Sequence, residues 1–212
     1  MAQRGKMEPF PLPNFRMEGV LAMRHPLAAL VMDSGRRIVC ELDPEAAPNT
    51  VRSFLHLARL GCYDGHAIER IAPDFVADMS YTAFGKPFAK YLIPYETRDA
   101  GFPNPLPAVP GAIVMGGYEQ GAAGGEFFFP FAEKPHVKWH YPAFGRVVEG
   151  LDEVMRWNTL PVRRVDFPLD PSVVITAPVT PPVIVRVELQ TFGKTYGEPV
   201  RLEGVPLPAN WG

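Results

Sequence analysis

Proline restricts the secondary structure of this chain more than any other residue type. It occupies 25 of the 212 positions, more than twice the average usage of about 5%. Because proline lacks a backbone N–H and clashes with the preceding helical turn, it interrupts long helices and central strands. The 14 phenylalanines nevertheless argue for a packed core. The sequence therefore predicts short strands joined by many fixed turns.

The size and charge of the chain narrow its class. With 212 residues and 47% hydrophobic content, the chain is long enough to bury one substantial core, so one domain is predicted. The net charge of -2 leaves no excess of lysine or arginine for binding phosphate backbones or acidic membranes. We therefore expect neither nucleic acid nor a membrane as a partner.

The cysteines and the first residues bear on where the protein works. Cys40 and Cys62 are too few for a disulfide framework and do not form a C-x-x-C metal spacing. Arg24, His25 and Pro26 interrupt the early apolar stretch that a signal peptide would need. The sequence has no run of 18 apolar residues of the kind that a membrane span needs. These features predict a cytoplasmic protein.

Apolar periodicity predicts a hairpin followed by a helix. Two apolar runs between Leu27 and Leu42 flank the turn Asp33-Ser34-Gly35. Pro48 then suits a first helical turn, and Gly61 suits the residue after the last one. Between them, four apolar residues share the spacing of one helical face: Val51, Phe54, Leu55 and Ala58.

Further short apolar runs, separated by glycine and proline, predict more strands. They are AIERIAP, AIVMGG, EFFFPF and YPAFGRVV. A second helix is expected from about Leu151 to Thr159, and VIVRVELQTFG alternates as a final strand. The stretch from Pro161 to Pro182 is polar and proline-rich, and no element is assigned to it. Many short strands with two helices favour a closed barrel, because closure removes exposed strand edges.

Five segments resemble the cyclophilin family of peptidyl-prolyl cis-trans isomerases. APNTVRSFLHLARLGCYDG is similar to that family's first helix and following turn, and IERIAPDFV to its F-H-R-x-x-P-x-F-M segment. GAIVMGG and GGEFFF are similar to its G-x-x-S-M-A and G-S-Q-F-F segments, and YPAFGRVVEGLDEV to the strand that leads into its second helix. Five matches in the family's order are stronger evidence than one motif.

The resemblance runs from about Pro26 to Phe192 and implies a fold. That fold is mostly β, a cyclophilin-like closed eight-stranded antiparallel barrel with two capping α-helices. We expect an extended N-terminal lead-in at residues 1–24 and a cyclophilin-like domain at residues 25–193. A C-terminal tail at residues 194–212 would pack on the domain or trail from it.

The resemblance also assigns Arg70 to the catalytic position. An X-Pro bond rotates slowly because amide resonance opposes twisting, with a barrier of about 18–20 kcal/mol. In the twisted amide the prolyl nitrogen gains a lone pair, so a cationic donor aimed at it stabilises the transition state. This chemistry implies no cofactor and no metal. The resemblance also implies a substrate-binding pocket. Four residues align with the apolar floor that receives the proline ring in this family, namely Phe75, Val76, Phe128 and Val137, and Tyr141 lies on the rim of that pocket.

Acidic residues depart from the family pattern around Arg70. Asp78 and Glu126 align with two glutamines that usually orient the arginine and contact the substrate. An ionised carboxylate accepts hydrogen bonds but cannot donate them. Glu69 replaces a histidine, and Met79-Ser80-Tyr81 replaces a G-G-D turn. We expect Asp78 or Glu126 to form a salt bridge with Arg70 that holds its guanidinium away from the prolyl nitrogen and reduces turnover.

A metal site is one alternative interpretation. His136 and His140 have the H-x-x-x-H spacing that binds metals on helices. Pro135 and Pro142 favour a loop there instead, and the sequence offers no evident third ligand. This alternative therefore ranks well below the isomerase hypothesis.

Two other functions compete with that hypothesis. Glu69, Asp78 and Glu126 could form a carboxylate set for hydrolysis, but a neighbouring Arg70 would lower their readiness to act as acids. A proline-peptide binding module with little or no turnover is the runner-up. The favoured hypothesis is a cofactor-free isomerase acting on X-Pro bonds of peptides or unfolded protein chains.

Overall fold

The chain is mostly β-structure, as predicted, in the residues that the computed structural model describes, 24–118, 121–167 and 170–211. The strands are β1 (Leu27–Met32), β2 (Arg37–Leu42), β3 (His66–Ala67), β4 (Arg70–Ala72), β5 (Val76–Asp78), β6 (Ile93–Pro94), β7 (Ala112–Tyr118), β8 (Ala122–Pro130), β9 (Ala143–Glu149), β10 (Val162–Phe167), β11 (Asp170–Pro178) and β12 (Val183–Gln190). The α-helices are α1 (Pro48–Arg59), α2 (Pro135–Lys138) and α3 (Leu151–Trp157). Single 3-10 turns lie at Ala83–Gly85, Pro87–Ala89 and Ala209–Trp211.

A single antiparallel sheet carries most of these strands. Its order is β3-β12-β1-β2-β9-β7-β8-β5-β4, with β6 paired to β8. Without the two-residue strands β3 and β6, this order contains the eight strands that the resemblance implied. Its two end strands, β3 and β4, are separated along the chain by Ile68 and Glu69 alone. The sheet must therefore curl until its two ends lie near each other.

The predicted hairpin is formed by β1 and β2. Their register runs from Leu27 opposite Glu41 to Val31 opposite Arg37. In the turn, Gly35 adopts a φ of 78°, which side chains other than glycine rarely tolerate. The backbone N–H of Gly35 donates to the carbonyl of Met32 at 2.9 Å.

Helix α1 occupies the predicted segment, and its N-terminus is capped from a distance. The predicted apolar stripe is buried. Ala47 provides no side-chain cap, and the first turn contains no acidic residue. Instead, the buried carboxylate of Glu96 accepts hydrogen bonds from the backbone N–H groups of Asn49 (2.9 Å) and Thr50 (2.8 Å). The Thr50 hydroxyl donates to the same carboxylate at 2.8 Å. A negative charge also suits the helix N-terminus electrostatically.

The other two helices are short. Helix α3 begins at the predicted Leu151 and ends at Trp157, two residues before the predicted Thr159. The four-residue helix α2 was not predicted. Within the described ranges, no helix is long and apolar enough to cross a membrane.

Side chains on the two faces of the sheet form separate apolar clusters. Phe127 and Phe129 belong to the main core inside the curled sheet, together with Phe54 and Trp157. Phe128 lies between them in sequence and joins a smaller cluster on the other face. This is the alternation expected along a strand. All three phenylalanines of β8 are buried, but on two different sides.

The proline-rich stretch, to which the sequence assigned no element, contains a β-hairpin. Strands β10 and β11 pair from Val162 opposite Pro178 to Asp166 opposite Val174. They form a separate two-stranded sheet. Most of their residues are exposed or half-buried, so the sequence lacks the apolar alternation that marks a strand with one buried face. Prolines lie at the ends of this ladder, where they cost few hydrogen bonds.

The residues after β12 pack back on the domain. Asn49 of α1 donates from its side-chain amide to the Val200 carbonyl at 2.9 Å and accepts from the Val200 N–H at 2.7 Å. Trp211 is buried against the ring of Tyr118. The predicted N-terminal lead-in lies outside the described residues, except for Arg24.

The remote cap predicts a stability effect. Replacing Glu96→Gln should lower the free energy of unfolding by about 2–3 kcal/mol, because an amide NH₂ would face helix N–H donors that now bind a carboxylate. Chemical denaturation measures this change. The control is Glu149→Gln, an exposed position, where we expect a change within about 0.5 kcal/mol. A similar small change for Glu96→Gln would contradict the capping role.

Candidate active site

Strand register brings the predicted site residues to one face of the sheet. Arg70 on β4 lies opposite Asp78 on β5, and Asp78 lies opposite Phe128 on β8. Phe128 in turn lies opposite Val114 on β7. Because directly opposed residues of antiparallel strands point to the same face, these four side chains form a row across four strands.

A groove of about 360 Å³ follows this row. It is lined by all eight of the predicted site residues: Arg70, Phe75, Val76, Asp78, Glu126, Phe128, Val137 and Tyr141. Its floor is the smaller apolar cluster, in which Val76, Phe128 and Val137 are buried. The Tyr141 ring meets the Phe128 ring edge-on, with centroids 5.3 Å apart. The structure therefore brings the whole predicted set together.

The guanidinium of Arg70 is held from one side. Its Nη1 donates to Asp78 Oδ2 at 2.5 Å and to the Tyr81 hydroxyl at 3.2 Å. Tyr81 in turn donates to the same oxygen of Asp78 at 2.6 Å. The Cζ of Arg70 lies 5.6 Å from the centroid of the Phe75 ring. Among the described residues, Nε of Arg70 is buried without a hydrogen-bond acceptor, and the guanidinium donates from Nη1.

The predicted salt bridge of Arg70 is thus formed with Asp78, and the charge of Asp78 raises the pKa of Arg70. Burial lowers the pKa of Arg70, but the charge of Asp78 and the hydrogen bonds to Asp78 and Tyr81 outweigh burial and raise it overall. Burial, with the nearby charge of Asp78, raises the pKa of Tyr81. Arg70 is therefore a fixed cation, and Tyr81 stays protonated as a donor.

Glu69 lies next to Arg70 in sequence but does not pair with it. Its carboxylate accepts hydrogen bonds from the Tyr81 backbone N–H at 3.1 Å and the Ser80 hydroxyl at 3.2 Å. Burial raises the pKa of Glu69, and these two hydrogen bonds partly oppose the rise. Glu69 therefore fixes the turn that replaces the family's G-G-D, and that turn carries Tyr81 to Arg70.

Glu126 does not pair with Arg70 either. Its Oε1 accepts hydrogen bonds from the Ala83 backbone N–H and the Tyr118 hydroxyl, both at 2.9 Å. Ala83 has a φ of 48°, a strained conformation for a residue with a Cβ, so this hydrogen bond stabilises a costly loop. The other oxygen, Oε2, is buried against Gly124 and has no partner among the described residues. Burial raises the pKa of Glu126.

Several residues at the groove were not predicted. Tyr81 and Tyr118 anchor the two acids. Phe167, Val173 and Ile175 reach the groove from the β10–β11 hairpin. The substitution of Tyr81 for a family aspartate was visible in the sequence, but its bond to Arg70 depends on the turn geometry. The sequence did not predict that the hairpin residues line the groove, because no strand was assigned to that stretch.

The histidine pair of the metal hypothesis does not form a cluster. The ring of His136 lies 5.8 Å from that of Phe75, while His140 lies 3.5 Å from a carboxylate oxygen of Asp99. In the described ranges, the group with ligand atoms close enough for a metal ion is instead His25, Asp43 and Glu45. These three residues do not line the groove.

The raised pKa of Glu126 predicts a pH effect on stability. Between the ordinary value near 4.5 and its folded value, the folded protein holds a proton that the unfolded chain has lost. Wild-type stability therefore falls as pH rises through this window, by at most about 1.4 kcal/mol per pH unit. Glu126→Gln lacks this slope.

We therefore expect Glu126→Gln to gain stability relative to the wild type as pH rises above about 4.5. Urea denaturation of both proteins at a series of pH values measures the difference, and the contributions of other titrating groups cancel. Parallel curves for the two proteins would contradict a raised pKa at Glu126.

A family model and several known proteins resemble this chain. The family model described as "Cyclophilin type peptidyl-prolyl cis-trans isomerase/CLD" matches residues 28–179. Peptidyl-prolyl cis-trans isomerase B of Bacillus subtilis is 35% identical over 125 residues, which cover 58% of this chain and 83% of that protein. Peptidyl-prolyl cis-trans isomerase ppi1 of Schizosaccharomyces pombe is 29% identical over 144 residues, covering 66% of this chain and 91% of that protein.

Solved structures agree on the fold. The crystal structure of a Cryptosporidium parvum cyclophilin type peptidyl-prolyl cis-trans isomerase, in the presence of the dipeptide Ala-Pro, superposes with a TM-score of 0.62 at 17% identity. The match covers 77% of this chain and 98% of that one. The predicted cyclophilin-like fold is confirmed. The chain belongs to the cyclophilin-type peptidyl-prolyl cis-trans isomerase family, and so to an enzyme class.

Proposed function

We propose that this protein isomerises X-Pro bonds in peptides or unfolded protein chains, with Arg70 as its catalytic residue. One observation carries the proposal: Nη1 of Arg70 is tied to Asp78 and Tyr81, while the buried Nε has no acceptor among the described residues. A donor held firmly at one end, with a free N–H group at the other, suits a ligand nitrogen that acquires a lone pair only in the twisted state.

The apolar floor supports proline as the bound residue. Phe75, Val76, Phe128 and Val137 would receive the proline ring, with Tyr141 at the rim. A proline ring has no N–H to satisfy, so an apolar pocket receives it without leaving a donor unpaired. A related cyclophilin has been crystallised in the presence of Ala-Pro, which supports proline peptides as ligands of this fold.

The catalytic contribution of Arg70 has a natural scale. A hydrogen bond from a charged donor contributes about 1.5–3 kcal/mol. If it is made mainly in the twisted state, the rate rises on the order of 10- to 100-fold. The remaining acceleration would come from holding the proline ring still while the preceding residue rotates.

Asp78 would both position and weaken Arg70. Its carboxylate fixes the guanidinium at 2.5 Å, which reduces the entropy lost on reaching the transition state. Its negative charge also lowers the positive potential at Nε and Nη2, and so weakens their attraction for a lone pair. Glu126 would act through the Ala83 loop rather than through Arg70.

A proline-peptide binding module is the second candidate, and the same ion pair favours it. The groove and its floor do not depend on a free guanidinium, whereas acceleration does. Proline peptides would then bind without faster cis-trans exchange. Exchange spectroscopy by NMR separates the two functions, since binding shifts resonances and turnover adds exchange peaks.

Removing Arg70 tests the catalytic assignment. We expect Arg70→Ala to lower kcat/KM for a proline peptide by 10- to 100-fold, on the order of one charged hydrogen bond, while the peptide still binds. The matched control is Arg146→Ala, which removes an exposed arginine paired with Glu41 and should keep full activity. Equal activities of Arg70→Ala and wild type would refute the assignment.

Removing the charge of Asp78 tests its restraining role. Asp78→Asn keeps a carbonyl acceptor for Arg70 but leaves the guanidinium its full charge, so we expect kcat/KM to rise roughly 3- to 10-fold. Glu149→Gln removes an equal charge from an exposed position and should change nothing. A fall in kcat/KM for Asp78→Asn would show that positioning outweighs the loss of potential.

A further inference from the structure

The β10–β11 hairpin forms one wall of the groove. Phe167, Val173 and Ile175 line the groove together with Arg70 and Tyr81. The hairpin belongs to a separate two-stranded sheet and not to the curled sheet that carries Arg70. The groove therefore has an apolar floor from one sheet and an apolar wall from another.

Two contacts tie this wall to the catalytic strand and its neighbouring turn. The Thr176 hydroxyl donates to the carbonyl of Ile71 on β4 at 2.6 Å. The ring of Phe167 meets the ring of Tyr81 edge-on, with centroids 5.0 Å apart. Strand β4 ends the sheet order, so β11 packs beside an edge that would otherwise be open. The wall is thus fixed relative to Arg70.

Two neighbouring valines of the hairpin line different pockets. Val173 and Val174 are successive residues of β11, with 44% and 46% of their surface exposed. Val173 lines the groove. Val174 lines a second pocket of about 290 Å³, which shares Arg70 and Ile175 with the groove. An exposed valine that faces an open groove gains from being covered by an apolar ligand.

We propose that the wall of Phe167, Val173 and Ile175 determines specificity, and selects peptides with an aliphatic or aromatic side chain in a residue flanking the proline. This rests on the proposed function, in which the proline ring occupies the floor and its nitrogen lies at Arg70. The distance between Arg70 and the wall suits a flanking residue. Tyr81 accepts a hydrogen bond from Arg70 and its ring contacts the ring of Phe167, so the wall begins one side chain beyond the guanidinium. The side chain of a residue adjacent to the proline can span the distance from the guanidinium to the wall.

The same geometry disfavours an acidic flanking side chain. Its carboxylate would face the carbons of the wall, which cannot replace its water. It would also lie near Asp78, which already neutralises Arg70. The protein should therefore discriminate between peptides with apolar and acidic flanking residues more strongly than the difference in side-chain size alone would produce.

Two peptide series and a matched pair of variants test the wall. One series places Ala, Leu or Asp before the proline and the other places them after it, in otherwise identical short peptides. We expect the wild type to prefer Leu over Ala by about tenfold in at least one series, measured as kcat/KM by NMR exchange or as Kd by titration. Val173→Asp should remove this preference, and Val173→Ala should reduce it. Val179→Asp, at an exposed valine just after β11 that lines neither of these two pockets, should keep it.

The outcomes separate this inference from the proposed function. A wild type that isomerises or binds these peptides without preferring Leu in either series overturns the inference alone. So does a preference that survives Val173→Asp, or one that Val179→Asp removes equally. A wild type that neither binds nor isomerises any of the peptides overturns both. Thermal unfolding of each variant shows whether the hairpin change has destabilised the fold, and Val173→Ala then gives the deciding comparison.

Discussion

The alternation of side chains along β4, β5 and β8 is the constraint on which this structure depends. Each strand carries core residues on one face and groove residues on the other. Ile71 and Ala77 enter the main core, while their neighbours Arg70 and Asp78 line the groove. A slip of one residue in any of these strands would exchange the two sets. The packing of the core thereby fixes the geometry of the groove.

Three carboxylates near the groove have three different roles. Asp78 neutralises Arg70, Glu69 closes the turn that carries Tyr81, and Glu126 stabilises the loop at Ala83. Sequence comparison treats all three as departures from one family pattern around one arginine. The structure shows one direct electrostatic partner and two supports of the backbone. The net charge of a site therefore says little until each carboxylate has been matched with its donors.

Much of the fold could be predicted because its signals are local. The apolar stripe of α1, the β1–β2 turn at Gly35 and the single alternation at Phe128 are encoded within a few residues. The groove followed from the order of the family-like segments, which brought Arg70 and Phe128 together, although the roles of these residues remain predictions. The missing parts depend on distant contacts. Glu96 caps a helix 46 residues earlier in the chain.

The β10–β11 hairpin was missed for a related reason. Its strands are stabilised by each other and by contacts with β4, and not by burial of a continuous apolar face. Arg163 and Arg164 are exposed, so the pattern of β10 reads as polar. The sequence did not decide whether Asp78 or Glu126 pairs with Arg70. Only the strand register places Asp78 opposite Arg70.

The C-terminal segment reaches the groove through a chain of hydrogen bonds. The indole N–H of Trp211 donates to the Tyr118 hydroxyl at 3.1 Å, and that hydroxyl donates to Glu126. Trp211 and Tyr118 are 93 residues apart in sequence, yet one part-buried hydrogen-bond network joins them. A substitution of Trp211 would therefore change the hydrogen bonding of Tyr118, a residue that lines the groove, without touching the groove itself.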